Sequence, residues 1–372
     1  MTKLPRPKEI NATSRTTAPR QSNFEALRML AMFFVLVVHA MYGSLGSPGI
    51  EEIAAAPADT GLRMLLRSLA VVCVDVFVLI SGWFGIRPKW KSAANFLFQI
   101  FFFMAGIYTT ALIFGFDTFS IKKIGIICLA EKDTYWFIKA YLVLYIISPA
   151  LNAFMEKASR KELGLTLVFF YLFQTLYGFA TPGGLRFFAA GYSPVSFIGL
   201  YLLAGYVRRY RPRWSAFSPR TDLVIYLLPP LLYTAIGLLR PYFAPDSGIG
   251  KPIIYAWELY MHYTNPLVIT GALYLLLFFS KLNFTSRFVN LCGASCFAVY
   301  LLHTHISLRE TYYQGICGYL HDHFPLPAYL ALTFAFLAAV FFAAIAIDQV
   351  RIAAWRPLWR WIEPRIPQSL RC

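Results

Sequence analysis

Residues 24–43 read FEALRMLAMFFVLVVHAMYG. Ten consecutive apolar residues separate Arg28 from His39. A helix rises about 1.5 Å per residue, so some 20 such residues cover the roughly 30 Å hydrocarbon core of a bilayer. A surface helix of a soluble protein would interrupt the run with a polar face. The stretch therefore reads as a membrane span. Nine further stretches read the same way: 62–86, 92–116, 135–155, 163–180, 192–207, 222–240, 265–280, 291–308 and 327–350. The sixth and eighth of the ten are short. Segment 241–264 is amphipathic and aromatic, and reads as a re-entrant or interfacial piece. The expected fold is an all-α membrane protein, a bundle of about ten transmembrane helices.

Composition points the same way. Of 372 residues, 58% are hydrophobic and only 14% charged, against roughly 45–50% and 25% in soluble proteins. Such apolar content excludes a disordered chain. The net charge of +16 suggests nucleic acid at first sight, but the apolar runs are too long for a soluble binder of it. The charge instead falls in alternate loops. Lys3, Arg6, Lys8, Arg15 and Arg20 precede the first span, and Arg87, Lys89 and Lys91 follow the second. Lys157, Arg160 and Lys161 follow the fourth, Arg208 to Arg220 the sixth, Lys281 and Arg287 the eighth, and Arg351 to Arg371 the tenth. Basic loops stay in the cytoplasm, so both termini are expected there. The domain reading is a disordered tail over 1–22, a transmembrane domain over 23–350, and a basic tail over 351–372. Residues 1–22 are too polar for a signal-peptide apolar region. The six cysteines form no CxxC pair and read as small apolar fillers.

Ionisable groups within spans are costly and are functional candidates. Arg28 and His39 lie eleven residues apart, about three turns plus 20°, hence on one helix face and about 16 Å apart along the axis. Asp75, in VVCVDVFVLISGWFG, stands near mid-depth and needs a partner: His39, another span's hydroxyls, or Arg63. Ser81-Gly82 in the same span suits close helix packing. His303 enters to a depth like that of His39, whereas His305, two residues on, points to another face and makes a poor joint metal ligand. His321-Asp322-His323 reads as a solvated loop, and no metal is expected. Trp136 and Lys139 begin the fourth span, and Glu258 and His262 lie in the amphipathic segment. These side chains are candidates for an outer vestibule.

Together these blocks resemble the acyltransferase-3 family of membrane acyltransferases. Arg28-x10-His39 resembles its first-span signature, and Asp75-Val-Phe-Val-Leu-Ile-Ser81-Gly82 its second-span motif. The run from Trp136 through Tyr141, Ser148 and Pro149 to Asn152 is similar to the branch that decorates bacterial surface polysaccharides. Tyr263-Thr-Asn265-Pro266 and Phe297-Ala-Val-Tyr300-Leu-Leu-His303 resemble later blocks of that branch. The blocks run in family order from about residue 23 to 350.

The resemblance implies a ten-helix bundle moving an acyl group, usually acetyl, from cytoplasmic acyl-CoA to a sugar hydroxyl of a polysaccharide or its lipid-linked precursor. It implies His39 as the essential histidine and Arg28 as its partner, with Asp75 beside them. Arg28, Ser81, Arg87, Lys89 and Lys91 are the residues expected to meet the donor. Many members carry Arg-x-x-Arg after the second-span motif. Here the region reads Arg87-Pro-Lys89-Trp-Lys91, and lysine is a point charge where arginine is a fork. Trp136, Lys139, Glu258 and His303 are expected in the acceptor vestibule. Chemistry agrees: acyl transfer to a hydroxyl needs a base near neutral pH, and an anionic donor favours a basic approach. Two other readings share the polar mid-membrane residues: a flippase of a lipid-linked saccharide, and a structural subunit of a polysaccharide assembly.

Overall fold

The computed structural model describes residues 20–131, 134–181, 187–243 and 250–366. The tail residues 1–19 and 367–372, which include Arg371 and Cys372, lie outside them. Helices are the only regular secondary structure among the described residues, which contain no strand. The chain enters α1 (Ser22–Val38), whose last turn widens into a π-helical turn over His39–Gly43. Short α2 (Ile50–Ala55) leads to α3 (Pro57–Ala70) and α4 (Cys73–Phe84). Then come α5 (Trp90–Ile113), α6 (Ile121–Ile127), α7 (Trp136–Lys157) and α8 (Arg160–Phe173). The second half holds α9 (Pro194–Tyr210), α10 (Pro219–Leu239), α11 (Gly250–Leu259) and α12 (Pro266–Ser280). It ends with α13 (Arg287–His303), α14 (Gly315–His323) and α15 (Leu326–Ile362).

Seven stretches among the described residues are long and apolar enough to cross a membrane: Ser22–Gly43, Pro57–Phe84, Trp90–Ile113, Trp136–Lys157, Arg160–Ala180, Pro219–Tyr242 and Leu326–Arg365. Each overlaps one of the ten stretches read from sequence. The other three fall on α9, α12 and α13, of 17, 15 and 17 residues. At about 1.5 Å per residue these helices are shorter than the hydrocarbon is thick.

Two further readings change. α15 runs on past residue 350, so 351–362 continue the helix. Arg351, read as a loop base, is buried and ion-paired with Asp348 at 2.8 Å, with Asn95 accepting at 2.6 Å. A guanidinium one turn from a carboxylate is stabilised wherever the helix is buried. His321-Asp322-His323 is no loop but the end of α14, and His321 reaches Asp59 at 3.3 Å.

Glycines set the closest contacts. α4 meets α9 at Gly82, where an added Cβ would stand 2.3 Å from the Tyr201 carbonyl oxygen. α1 and α13 run parallel and meet at Gly293, where a Cβ would lie 2.5 Å from the Glu25 carboxylate. At that end Ser22 donates to Asn290 at 2.9 Å.

Because the obstacle at Gly82 is backbone, Gly82→Ala is expected to lower the thermal midpoint by several degrees. Gly106→Ala in α5 faces nothing within 4 Å. It is expected to hold or raise the midpoint, since alanine favours a helix interior over glycine. Circular dichroism melts of the purified protein check both.

Candidate active site

α1 carries Arg28 and His39 on one side because ten helix-compatible residues separate them. Each opens onto a cavity. His39 lines one of about 310 Å³ with Trp136, Phe137, Tyr192, Tyr263, Tyr300 and Arg309. Arg28 lines another of about 260 Å³ with Ser81, Phe96, Gln99 and Tyr141. Phe77, Phe137 and Phe297 line both. The two cavities are thus successive chambers separated by three phenylalanine side chains.

His39 does not pair with Asp75. Its Nδ1 lies 2.8 Å from Nε2 of His303, whose own Nδ1 lies 2.6 Å from the Val299 carbonyl oxygen. A carbonyl only accepts, so His303 Nδ1 carries the hydrogen. In a neutral imidazole the other nitrogen is then the acceptor, so His303 Nε2 accepts from His39 Nδ1–H. That leaves the lone pair of His39 on Nε2. The ring lines the cavity, and His303 is buried behind it. The arrangement has the logic of a base oriented by a second group, with an imidazole in the place a carboxylate more often takes. His303, expected in the vestibule, is therefore the support of His39. His305 points elsewhere, to the Met104 carbonyl at 3.0 Å.

Asp75 is fully buried, and neither of its oxygens has a hydrogen-bond partner among the described residues. Its other expected partner, Arg63, bonds Asp59 at 3.2 Å and also Glu52. Arg28 is held by Glu25, whose Oε1 accepts from Arg28 at 2.6 Å and from Arg20 at 3.0 Å. Glu25 is buried, and sequence reasoning passed over it. It looked like any acid in a first helical turn. The signal was its position three residues before Arg28, on the same face.

Ser81 donates to the Phe77 carbonyl at 3.0 Å and contacts the Tyr141 hydroxyl at 3.1 Å. The motif Ser81-Gly82 therefore serves two purposes, a hydroxyl in the Arg28 chamber and a bare backbone against α9. Arg87, Lys89 and Lys91 are exposed and do not line that chamber. Arg208 and Arg28 share a neighbour: their guanidiniums lie 5.3 and 6.0 Å from the centroid of the Phe84 ring.

Trp136 lines the His39 cavity and packs on Tyr192, with centroids 4.5 Å apart. Lys139 turns away to the Glu131 carbonyl. Glu258 is exposed and lines a third cavity of about 480 Å³, which shares Tyr42 and Tyr192 with the His39 cavity. No group of three or more His, Cys, Asp or Glu side chains placed to hold a metal occurs among the described residues.

No curated protein and no solved structure gives a significant match to the chain. The acyltransferase-3 family model, described as an acyltransferase domain, matches residues 21–348. That match includes every candidate residue above and does not favour the transport reading. Matched over nearly all its length, and with seven membrane-length helices among its described residues, the chain belongs to the acyltransferase-3 family of multi-pass membrane acyltransferases.

Proposed function

We propose that the protein is an O-acyltransferase that moves an acyl group, acetyl by default, from cytoplasmic acyl-CoA to a sugar hydroxyl of a bacterial surface polysaccharide or its lipid-linked precursor. The seven long helices together with α9, α12 and α13 make ten crossings of the inner membrane, with both termini cytoplasmic. The donor approaches the Arg28 chamber, where Arg28, Arg208 and Ser81 meet it and the exposed Arg87, Lys89 and Lys91 add positive charge nearby. Its pantetheine arm passes the three phenylalanines, so the thioester reaches His39. The acceptor comes from the opposite side, past Trp136, Tyr192 and Tyr263.

The observation that carries this reading is the free Nε2 of His39, on a ring oriented by His303 at 2.8 Å and lining a chamber that shares Phe77, Phe137 and Phe297 with the Arg28 chamber. In the transfer step His39 Nε2 takes the hydroxyl proton as the sugar oxygen attacks the thioester carbonyl. The C–S bond breaks, and the imidazolium returns the proton to the departing thiolate. The products are a sugar ester and free CoA thiol. Should the acyl group instead pass through His39 Nε2, an acetylated histidine would accumulate when acceptor is withheld.

His39→Ala is expected to lower acceptor-dependent thiol release from acetyl-CoA by a factor of about 10²–10⁴, the usual worth of a positioned general base. An unchanged rate would remove His39 from the chemistry. His303→Ala is expected to lower kcat by at least about tenfold while leaving the KM for acetyl-CoA nearly unchanged, because the ring it orients acts in the transition state. His303→Gln restores part of the loss, since an amide oxygen still accepts from Nδ1–H. Equal effects of the alanine and glutamine variants would assign His303 a packing role only.

A further inference from the structure

The third cavity is contiguous with the His39 cavity through Tyr42 and Tyr192. Two arginines enter it from different helices. Arg67, on α3, lies 3.8 Å over the Tyr42 ring and donates to Ser47 at 2.7 Å. Arg240, after α10, lies 4.2 Å over the Trp257 ring, and its Nε is buried without a hydrogen-bond partner. Neither forms an ion pair among the described residues. Among the described residues of the lining the one acid is Glu258, and it bonds to neither.

A comparison within one helix shows how unusual this is. Arg63, one turn before Arg67, is held by both Glu52 and Asp59. Among the described residues, one α3 arginine is thus compensated twice and the next by no carboxylate. A half-buried guanidinium without a carboxylate loses hydration and regains only part of it from an aromatic face. A planar guanidinium fork fits a carboxylate or phosphate with two parallel hydrogen bonds. Two such forks lie beside aromatic rings in a cavity that adjoins the His39 cavity.

We infer that the acceptor is an anionic saccharide. Its carboxylate or phosphate group binds Arg67 and Arg240, while the hydroxyl to be acylated lies before His39. Tyr42 and Tyr192 bridge the two subsites, so the charged group and the hydroxyl belong to one sugar or to adjacent sugars. Glu258, the one carboxylate among the described lining residues, is exposed and able to accept from sugar hydroxyls. The inference deepens the acyl-transfer reading and rests on it for the role of the bound sugar.

The test uses the full-length protein in lipid nanodiscs and two matched pairs of probes. One pair is a hexuronate-containing oligosaccharide and its carboxyl-reduced neutral form. The other is a hexose 1-phosphate and the corresponding methyl hexoside. Binding is read as a thermal shift without acyl-CoA, and transfer as ester formation with acetyl-CoA. The charged member of at least one pair is expected to raise the midpoint and to show a KM at least about tenfold below its neutral partner, the order expected for a charge-assisted bond. The pair that discriminates identifies carboxylate or phosphate. Arg67→Gln and Arg240→Gln should each abolish the discrimination, and Arg67→Lys should keep part of it. Equal binding and transfer of charged and neutral probes, or discrimination that survives both glutamine variants, overturns the inference. Discrimination in binding with no transfer from acetyl-CoA supports the anionic site and overturns the acyl-transfer reading instead.

Discussion

The hydrogen bond from His39 to His303, 2.8 Å long, is the interaction on which the rest depends. It joins α1 to α13, and it exists because those two parallel helices approach closely enough for the rings to meet. Gly293 permits the approach at one end, where any Cβ would strike Glu25. The same contact buries Glu25, which fixes Arg28 at the mouth of its chamber. One helix pair thus sets His39 at one end and Arg28 at the other. His303 is fixed in turn by the Val299 carbonyl, so the backbone of α13 determines which nitrogen of His39 stays free.

Buried charge elsewhere follows the expectation that ions removed from water are paired. Asp348 holds Arg351 and accepts from Gln99 at 2.9 Å, which ties α15 to α5 beside the Arg28 chamber. Asp222 holds Lys281, linking α10 to the end of α12. Against that background Arg67 and Arg240 of the third cavity stand out, since neither has an ion-pair partner among the described residues. So does Asp75, which is fully buried. Its family-motif position makes it a candidate, yet it contacts neither His39 nor Arg63 by a hydrogen bond.

Some of this was legible in the residues and some was not, for physical reasons. Apolar runs report on solvent, so the long membrane helices were readable directly. Helical periodicity is a local property, so Arg28 and His39 were readable as neighbours on one face. The partner of His39 lies 264 positions away, and no local pattern contains that pairing. A carboxylate partner was the natural expectation, and an imidazole took the place. Arg351 was counted with a tail because basic residues after an apolar run read as a loop. Only the contact with α5 and Asp348 reveals a buried pair. The number of crossings is less legible still, since α9, α12 and α13 are too short for length alone to settle.

The account turns on which nitrogen of His39 is free. Nitrogen-15 spectra of the full-length protein with labelled histidines test it directly, with only six histidines to assign. The account predicts that His39 carries its hydrogen on Nδ1 and shows an unprotonated Nε2, and that His303→Ala removes this preference. A His39 protonated on Nε2 in the wild-type protein would contradict it, because the nitrogen facing the cavity would then have no lone pair with which to accept a proton.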